Sequence, residues 1–306
     1  MKKFVVELGI IIVCVFSWSC GLDENSTDTR DTPTKGTINI SVDESFKPVI
    51  EEQIRVHHSS FPATTIRVSY KSEAECFRDL QKDSTRMIIV AKGLTEKEAE
   101  SYKSILSYKP QYGDLAYDAV AVIVNIEAKD SIFSFKDINE ILSGKQPLIA
   151  VMDGKSATST VRYLKDSVLK KGEFGKNVVA VNNSQEVIDI VAQRKDVIGF
   201  VGLSWIGDSY DPKQVAFLKK IRLSRIECTA CLEKNIYAKP SQATITRGEY
   251  PLARPLYYIL KENTAGLGTG FMNFMSMERG QLIFRRAFLA PTKMAFQKRL
   301  STIKQE

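Results

Sequence analysis

The sequence predicts an α/β fold, a sheet with helices on both of its faces, and three observations predict it. Short strand patterns alternate with amphipathic helical ones along most of the chain. The run Met87-Ile88-Ile89-Val90-Ala91 is apolar throughout, as in a parallel strand covered on both sides. Each of the first three strand patterns also ends in a short polar turn, at Ser45, Ser72 and Lys92, just before a helical pattern. In open sheets of this kind ligands collect beyond the carboxyl ends of strands, where helix N-termini also point.

Length and composition bound the rest. A chain of 306 residues suffices for one large or two medium domains, and 43% hydrophobic with 26% charged residues is an ordinary globular composition. The formal net charge of +7 helps to attract anions. The cations are dispersed, with no basic run or basic-aromatic face, so nucleic acid is not expected as a partner.

The chain opens as a secretory address. Lys2-Lys3 precede an apolar core over residues 4–16, too short to span a bilayer comfortably. Ser17-Trp18-Ser19-Cys20 then has the form of a lipobox, so residues 1–19 are expected to be a lipoprotein signal peptide and Cys20 the site of lipid attachment. Loss of Lys2, Lys3 and Glu7 with that peptide leaves +6. Residues 20–35 are polar and lack apolar periodicity, which reads as a flexible tether.

From residue 36 the elements follow in order. Residues 37–42 alternate as a strand, and Asp43-Glu44-Ser45 leads into a helix over 46–58. That helix carries the only histidines, His57 and His58, whose expected place is the surface. Strands over 65–70 and 86–91 are separated by a helix over 74–80, and Thr95 with Glu98 makes a capping-box start for the next helix. A buried strand at 118–125, a short helix within 133–144 and a strand at 148–151 come next. Asp153-Gly154 turns the chain into Ser156-Ala157-Thr158-Ser159-Thr160, and a helix follows from Val161. Further strands are expected at 177–181, 197–202 and 250–260. Helices are expected at 184–193, 270–276 and 279–286, with a polar helix at the C-terminus. Cys228 and Cys231 read as a local disulfide or as two free thiols, and histidines are too few for a zinc site.

The stretch after residue 153 carries the chemistry. The first N–H groups of a helix lack internal partners and lie at the positive end of its dipole, so Ser and Thr there can complete a place for an oxyanion. Equally, Ser156 or Thr158 can simply cap the helix. No glycine-rich dinucleotide or phosphate-loop motif follows any strand. No nucleophile stands beside a general base, so no catalytic residue, metal or cofactor is expected.

The order of segments resembles the phosphate-binding proteins of Pst-type ABC importers, from about residue 36 to 292. Five segments carry the resemblance. They are residues 118–125 with Phe135-Lys136-Asp137-Ile138-Asn139-Glu140-Ile141-Leu142-Ser143-Gly144, Ser156-Ala157-Thr158, Val197-Ile198-Gly199-Phe200-Val201, residues 250–258 and Gly280-Gln281. The resemblance implies a two-lobed periplasmic-binding type 2 fold with mixed sheets and hinge strands between the lobes. Residues 36–117 with 250–306 would form lobe one, and 118–249 lobe two. It also implies a monomeric lipoprotein of the cell envelope that hands phosphate, or a similar tetrahedral oxyanion, to an ABC permease. A sensor or scaffold lipoprotein that kept the fold is the alternative.

Carried over by position, the ligand would be held by Ser45 and the Phe46 N–H, by Ser72, and by Ser156, the Ala157 N–H and Thr158. The chain departs from the family at three places. Ala91-Lys92 stands where an acid is usual, Met152 where an Arg is usual, and Ala157 where a Gly is usual. Lys92 is therefore expected to supply the relocated cation. Lys has no acceptor to read a phosphate proton, so weak discrimination against sulfate is expected unless Asp43, Glu44 or Asp153 substitutes.

Overall fold

The computed structural model describes residues 31–154, 158–170 and 172–293. The expected signal peptide, Cys20, Ser156, Ala157 and the expected C-terminal helix lie outside the described residues.

In chain order the strands of the first half are β1 (Gly36–Asp43), β2 (Thr64–Lys71), β3 (Thr85–Val90), β4 (Gln111–Asn125), β5 (Ile132–Phe133) and β6 (Ile149–Asp153). Those of the second half are β7 (Val178–Val181), β8 (Val197–Gly202), β9 (Ile221–Leu223), β10 (Arg225–Glu227), β11 (Tyr237–Ala238), β12 (Ala253–Leu260) and β13 (Ala290–Pro291). The α-helices are α1 (Lys47–Ser60), α2 (Glu73–Leu80), α3 (Glu96–Leu106), α4 (Phe135–Leu142), α5 (Ser159–Leu164) and α6 (Ser184–Gln193), then α7 (Pro212–Leu218), α8 (Gln242–Thr246), α9 (Leu267–Ser276) and α10 (Glu278–Arg286).

One continuous path of strands runs β2-β1-β3-β12-β4-β8-β6-β7. Strand β1 is parallel to β2 and β3, and β6 is parallel to β7 and β8, while β12 and β4 are antiparallel to their neighbours. In β3 successive side chains point to opposite faces. Met87 and Ile89 enter a core under α1 and α9, and Ile88 and Val90 enter another under α2 and α3. Both faces are thus covered, as the unbroken apolar run predicts.

Strand β4 is longer than the predicted 118–125. Through Ala119 it pairs with β12, and from Val120 it pairs with β8. Its first four residues are exposed or half-buried, and buried residues run unbroken only from Asp118, so only the second half has an apolar signature. The chain has two main cores as a result. One draws on residues 38–116 and 256–289, the other mainly on residues 119–253.

Two expectations are corrected. Residues 31 and 33, expected in the tether, pack against the body. The Asp31 carboxylate accepts from the Leu267 N–H at the start of α9 (2.6 Å) and pairs with Arg86 (3.3 Å). Pro33 packs so closely on Gly270 that a Cβ there would lie 2.0 Å from its carbonyl oxygen, which only glycine avoids. His57 is buried, not at the surface. It lies on the face of α1 that also buries Val49, Ile50 and Gln53, and its ring stands edge-on to Phe271 and Phe274 at 5.2 Å. Burial drives its pKa down to about 4. His58 is exposed. Cys228 and Cys231 form a disulfide.

Candidate functional site

The carboxyl ends of β1, β6 and β8 and the start of β12 meet at one edge of the sheet, and there a closed set of polar side chains is buried. Asp43 ends β1. Its Oδ1 accepts from the Ser45 N–H at 3.0 Å, which folds Glu44–Phe46 into a single helical turn ahead of α1. The same carboxylate reaches across to α5, accepting from the Ser159 N–H (3.0 Å) and the Ser159 hydroxyl (2.9 Å). Asp153 ends β6. It accepts from the hydroxyls of Ser45 (3.1 Å), Ser184 (3.0 Å) and Thr158 (3.1 Å). The hydroxyls of Ser45 and Thr160 lie 3.1 Å apart.

Among the described residues a single cation enters this set. Arg254, at the start of β12, is the largest fully buried side chain and is 1% exposed. Its Nη1 donates to Ser159 Oγ (3.1 Å) and Thr160 Oγ1 (3.3 Å), and its Nε donates to Asp118 Oδ2 (3.0 Å). The guanidinium lies 5.0 Å from the centre of the Phe46 ring, a cation–π distance. Arg254 and Asp118 are cross-strand partners in the β12–β4 register. Gly202 at the end of β8 lets the Ser45 carbonyl approach, since a Cβ there would lie 2.6 Å from that oxygen.

Asp153 and Asp118 are held against ionisation. Burial raises the pKa of Asp153, and the neighbouring Asp43 charge adds to it. Burial also raises Asp118, with Arg254 opposing. Glu44 borders the set and accepts from the Ser184 hydroxyl at 2.9 Å. Its pKa is pushed up to about 8 by burial and by the Asp153 charge. A second bridge links the same two halves of the molecule. Glu73, at the start of α2, accepts from the Ala91 N–H (3.0 Å) and pairs with Arg162 of α5.

The predicted site residues separate into two groups. Ser45, Phe46 and Thr158 come together in the buried set, Thr158 also capping α5 through Val161 N–H. Ser72 and Lys92 do not join it. The Ser72 hydroxyl is taken up by a capping box with Glu75, and Glu73 beside it reaches the opposite side instead. Lys92 is half-exposed and pairs with Glu98 at 3.1 Å, so among the described residues the cation of the set is Arg254. Sequence reasoning missed Ser159, Thr160, Ser184, Arg254 and Asp118. The available signal was a lone charge inside each of two apolar strand runs.

A model of the PBP superfamily domain matches residues 27–278. The chain belongs to the PBP superfamily. Among its curated superfamily relatives, the phosphate-binding protein PstS of Pseudomonas aeruginosa is 24% identical over 220 residues, 64% of each chain. The chain therefore spans 64% of that relative's length. PstS of Borreliella burgdorferi is 20% identical over 298 residues, covering 91% of this chain and 98% of that one. A solved substrate-binding protein of Clostridium perfringens, with phosphate bound, superposes with a TM-score of 0.68 at 18% identity, covering 84% of this chain and all of that one. At such identity the likeness is one of fold, and the fold is the expected two-lobed arrangement.

Proposed function

We propose that this PBP-superfamily chain is a solute-binding protein that encloses phosphate, or a similar tetrahedral oxyanion, between two lobes and delivers it to an ABC permease. The observation that carries the reading is Arg254, buried among the hydroxyls of Ser45, Ser159 and Thr160 at the carboxyl ends of strands. Guanidinium and hydroxyl groups are the donors an oxyanion needs, and burial strengthens each of them. The relatives named PstS support the choice of phosphate. In this reading residues 36–117 with 250–306 make one lobe and 118–249 the other. Strands β4 and β12 are the hinge. The body is a monomer on the outer side of a membrane, anchored by lipid on Cys20, and binds without chemistry. Among the described residues no helix is long and apolar enough to cross a membrane.

Calorimetric titration of residues 31–306 tests it. Phosphate should bind with micromolar or better affinity and with compaction in small-angle scattering. Absence of heat with every oxyanion tried would refute it. A sensor or scaffold that kept the fold is favoured by one feature. Hydroxyls that would face the anion already donate to Asp43 and Asp153. The same absence of heat, with the fold intact, is that reading's expected result.

A further inference from the structure

We infer, on the reading that this cleft takes an oxyanion, that its preferred ligand is a phosphate monoester of a small polyol or sugar, the organic group lying in the cavity beside Glu44. That cavity measures about 970 Å³. It falls within the range of pockets that enclose whole organic ligands, and a bare phosphate ion has no use for the space. It adjoins the buried set directly. Glu44 lines the cavity while accepting from Ser184, and Ser204 lines it while donating to the Ser45 carbonyl at 3.2 Å.

The lining indicates the class of the organic group. Trp205 Nε1 and the Tyr70 hydroxyl belong to lining residues, are screened from solvent and have no hydrogen-bond partner. A buried donor without an acceptor is costly, and a ligand hydroxyl or ether oxygen would relieve both. The ions of the wall are paired with one another, Lys47 with Glu51, Arg55 with Glu52 and Arg286 with Asp208. Asp211 and Lys213 also line the wall and add one charge of each sign, so it carries no excess of cations for a second anionic group, and neutral oxygen-rich groups fit it best. Tyr210 and Trp205 supply the flat apolar faces against which sugar C–H groups pack.

Glycerol 3-phosphate, glucose 6-phosphate and inorganic phosphate, titrated calorimetrically into residues 31–306, test the proposal. At least one ester should bind tenfold or more tightly than phosphate. It should also change the emission of Trp205, the only tryptophan besides Trp18. Trp205→Phe and Tyr70→Phe should each weaken the ester about fivefold, the loss of one neutral hydrogen bond, and leave phosphate unchanged. Phosphate binding within tenfold of the tighter ester, or variants that weaken both ligand types alike, would overturn the proposal and leave the phosphate reading standing. Failure of phosphate and both esters to bind would remove that reading as well.

Discussion

Replacing Arg254 by methionine should destabilise the protein in a way that depends on pH. The Arg254–Asp118 pair has no exposed side-chain surface on either partner. Breaking such a pair from one side leaves a buried charge uncompensated, at a cost of about 3–5 kcal/mol. Burial already holds the Asp118 carboxyl above its ordinary range, and Arg254 is the chief influence pulling it down. Without Arg254 the folded state keeps a proton on Asp118 that the unfolded chain, near the ordinary value of about 3.9, releases. A folded pKa raised above the unfolded one gives stability that is present at low pH and lost as pH rises through the folded value. The penalty of Arg254→Met, taken relative to wild type, should therefore be smaller at pH 5 than at pH 8. Urea denaturation at both values measures it. The double variant Arg254→Met, Asp118→Asn should recover at least half of the loss at pH 8 and show no added pH dependence. A single-variant cost below about 1 kcal/mol, or no recovery in the double variant, would refute this account of the pair.

Three further outcomes follow from the same set of residues. Asp43 and Asp153 stand beside the hydroxyls where Lys92 does not, so the expected weak discrimination gives way to its opposite. Phosphate should outcompete sulfate by more than about tenfold, because sulfate has no proton for those acceptors; equal competition at pH 7 counts against it. Glu44 rises from its ordinary value of 4.5 to about 8, so wild-type stability should decline by a few kcal/mol as pH climbs through that window. Glu44→Gln should flatten that decline, which denaturation midpoints across pH 5–9 will reveal. Arg162→Ala leaves the buried Glu73 carboxylate with the Ala91 N–H alone, and should lower stability by about 1–3 kcal/mol. An unchanged urea midpoint would mean that the bridge is idle.

Local pattern carried most of the fold. Residues 184–193 and 197–202 are read correctly to the residue, and the Thr95–Glu98 capping box forms as expected. Errors fall where a local pattern is read without its neighbours. His57 follows Ile50 by seven residues and Gln53 by four, so the helical period alone places it on the buried face. The segment 31–35 has no apolar signature because it is tied down by Asp31 and Pro33 to α9, more than two hundred residues away. Tertiary ties of that kind leave no mark on a short window.

The site was legible in the same uneven way. Ser45 and Thr158 each sit at a strand end before a helix, and that signal is local. Arg254 and Asp118 are 136 positions apart and meet only through the antiparallel register of β12 on β4. Placing the cation at Lys92 assumed that a charge must stay near the turn where the family has lost one. A sheet allows another solution, since any residue at the same edge on a neighbouring strand reaches the same volume. Moving the cation into the sheet changes how an anion is held. Asp118 takes much of the Arg254 charge, so attraction falls to the hydroxyls, while Glu44, pushed up to about 8 chiefly by burial, keeps its proton near neutral pH and adds no repulsion. Anion capture by this cleft is then coupled to the protons on its acids, and alkaline pH should release the ligand.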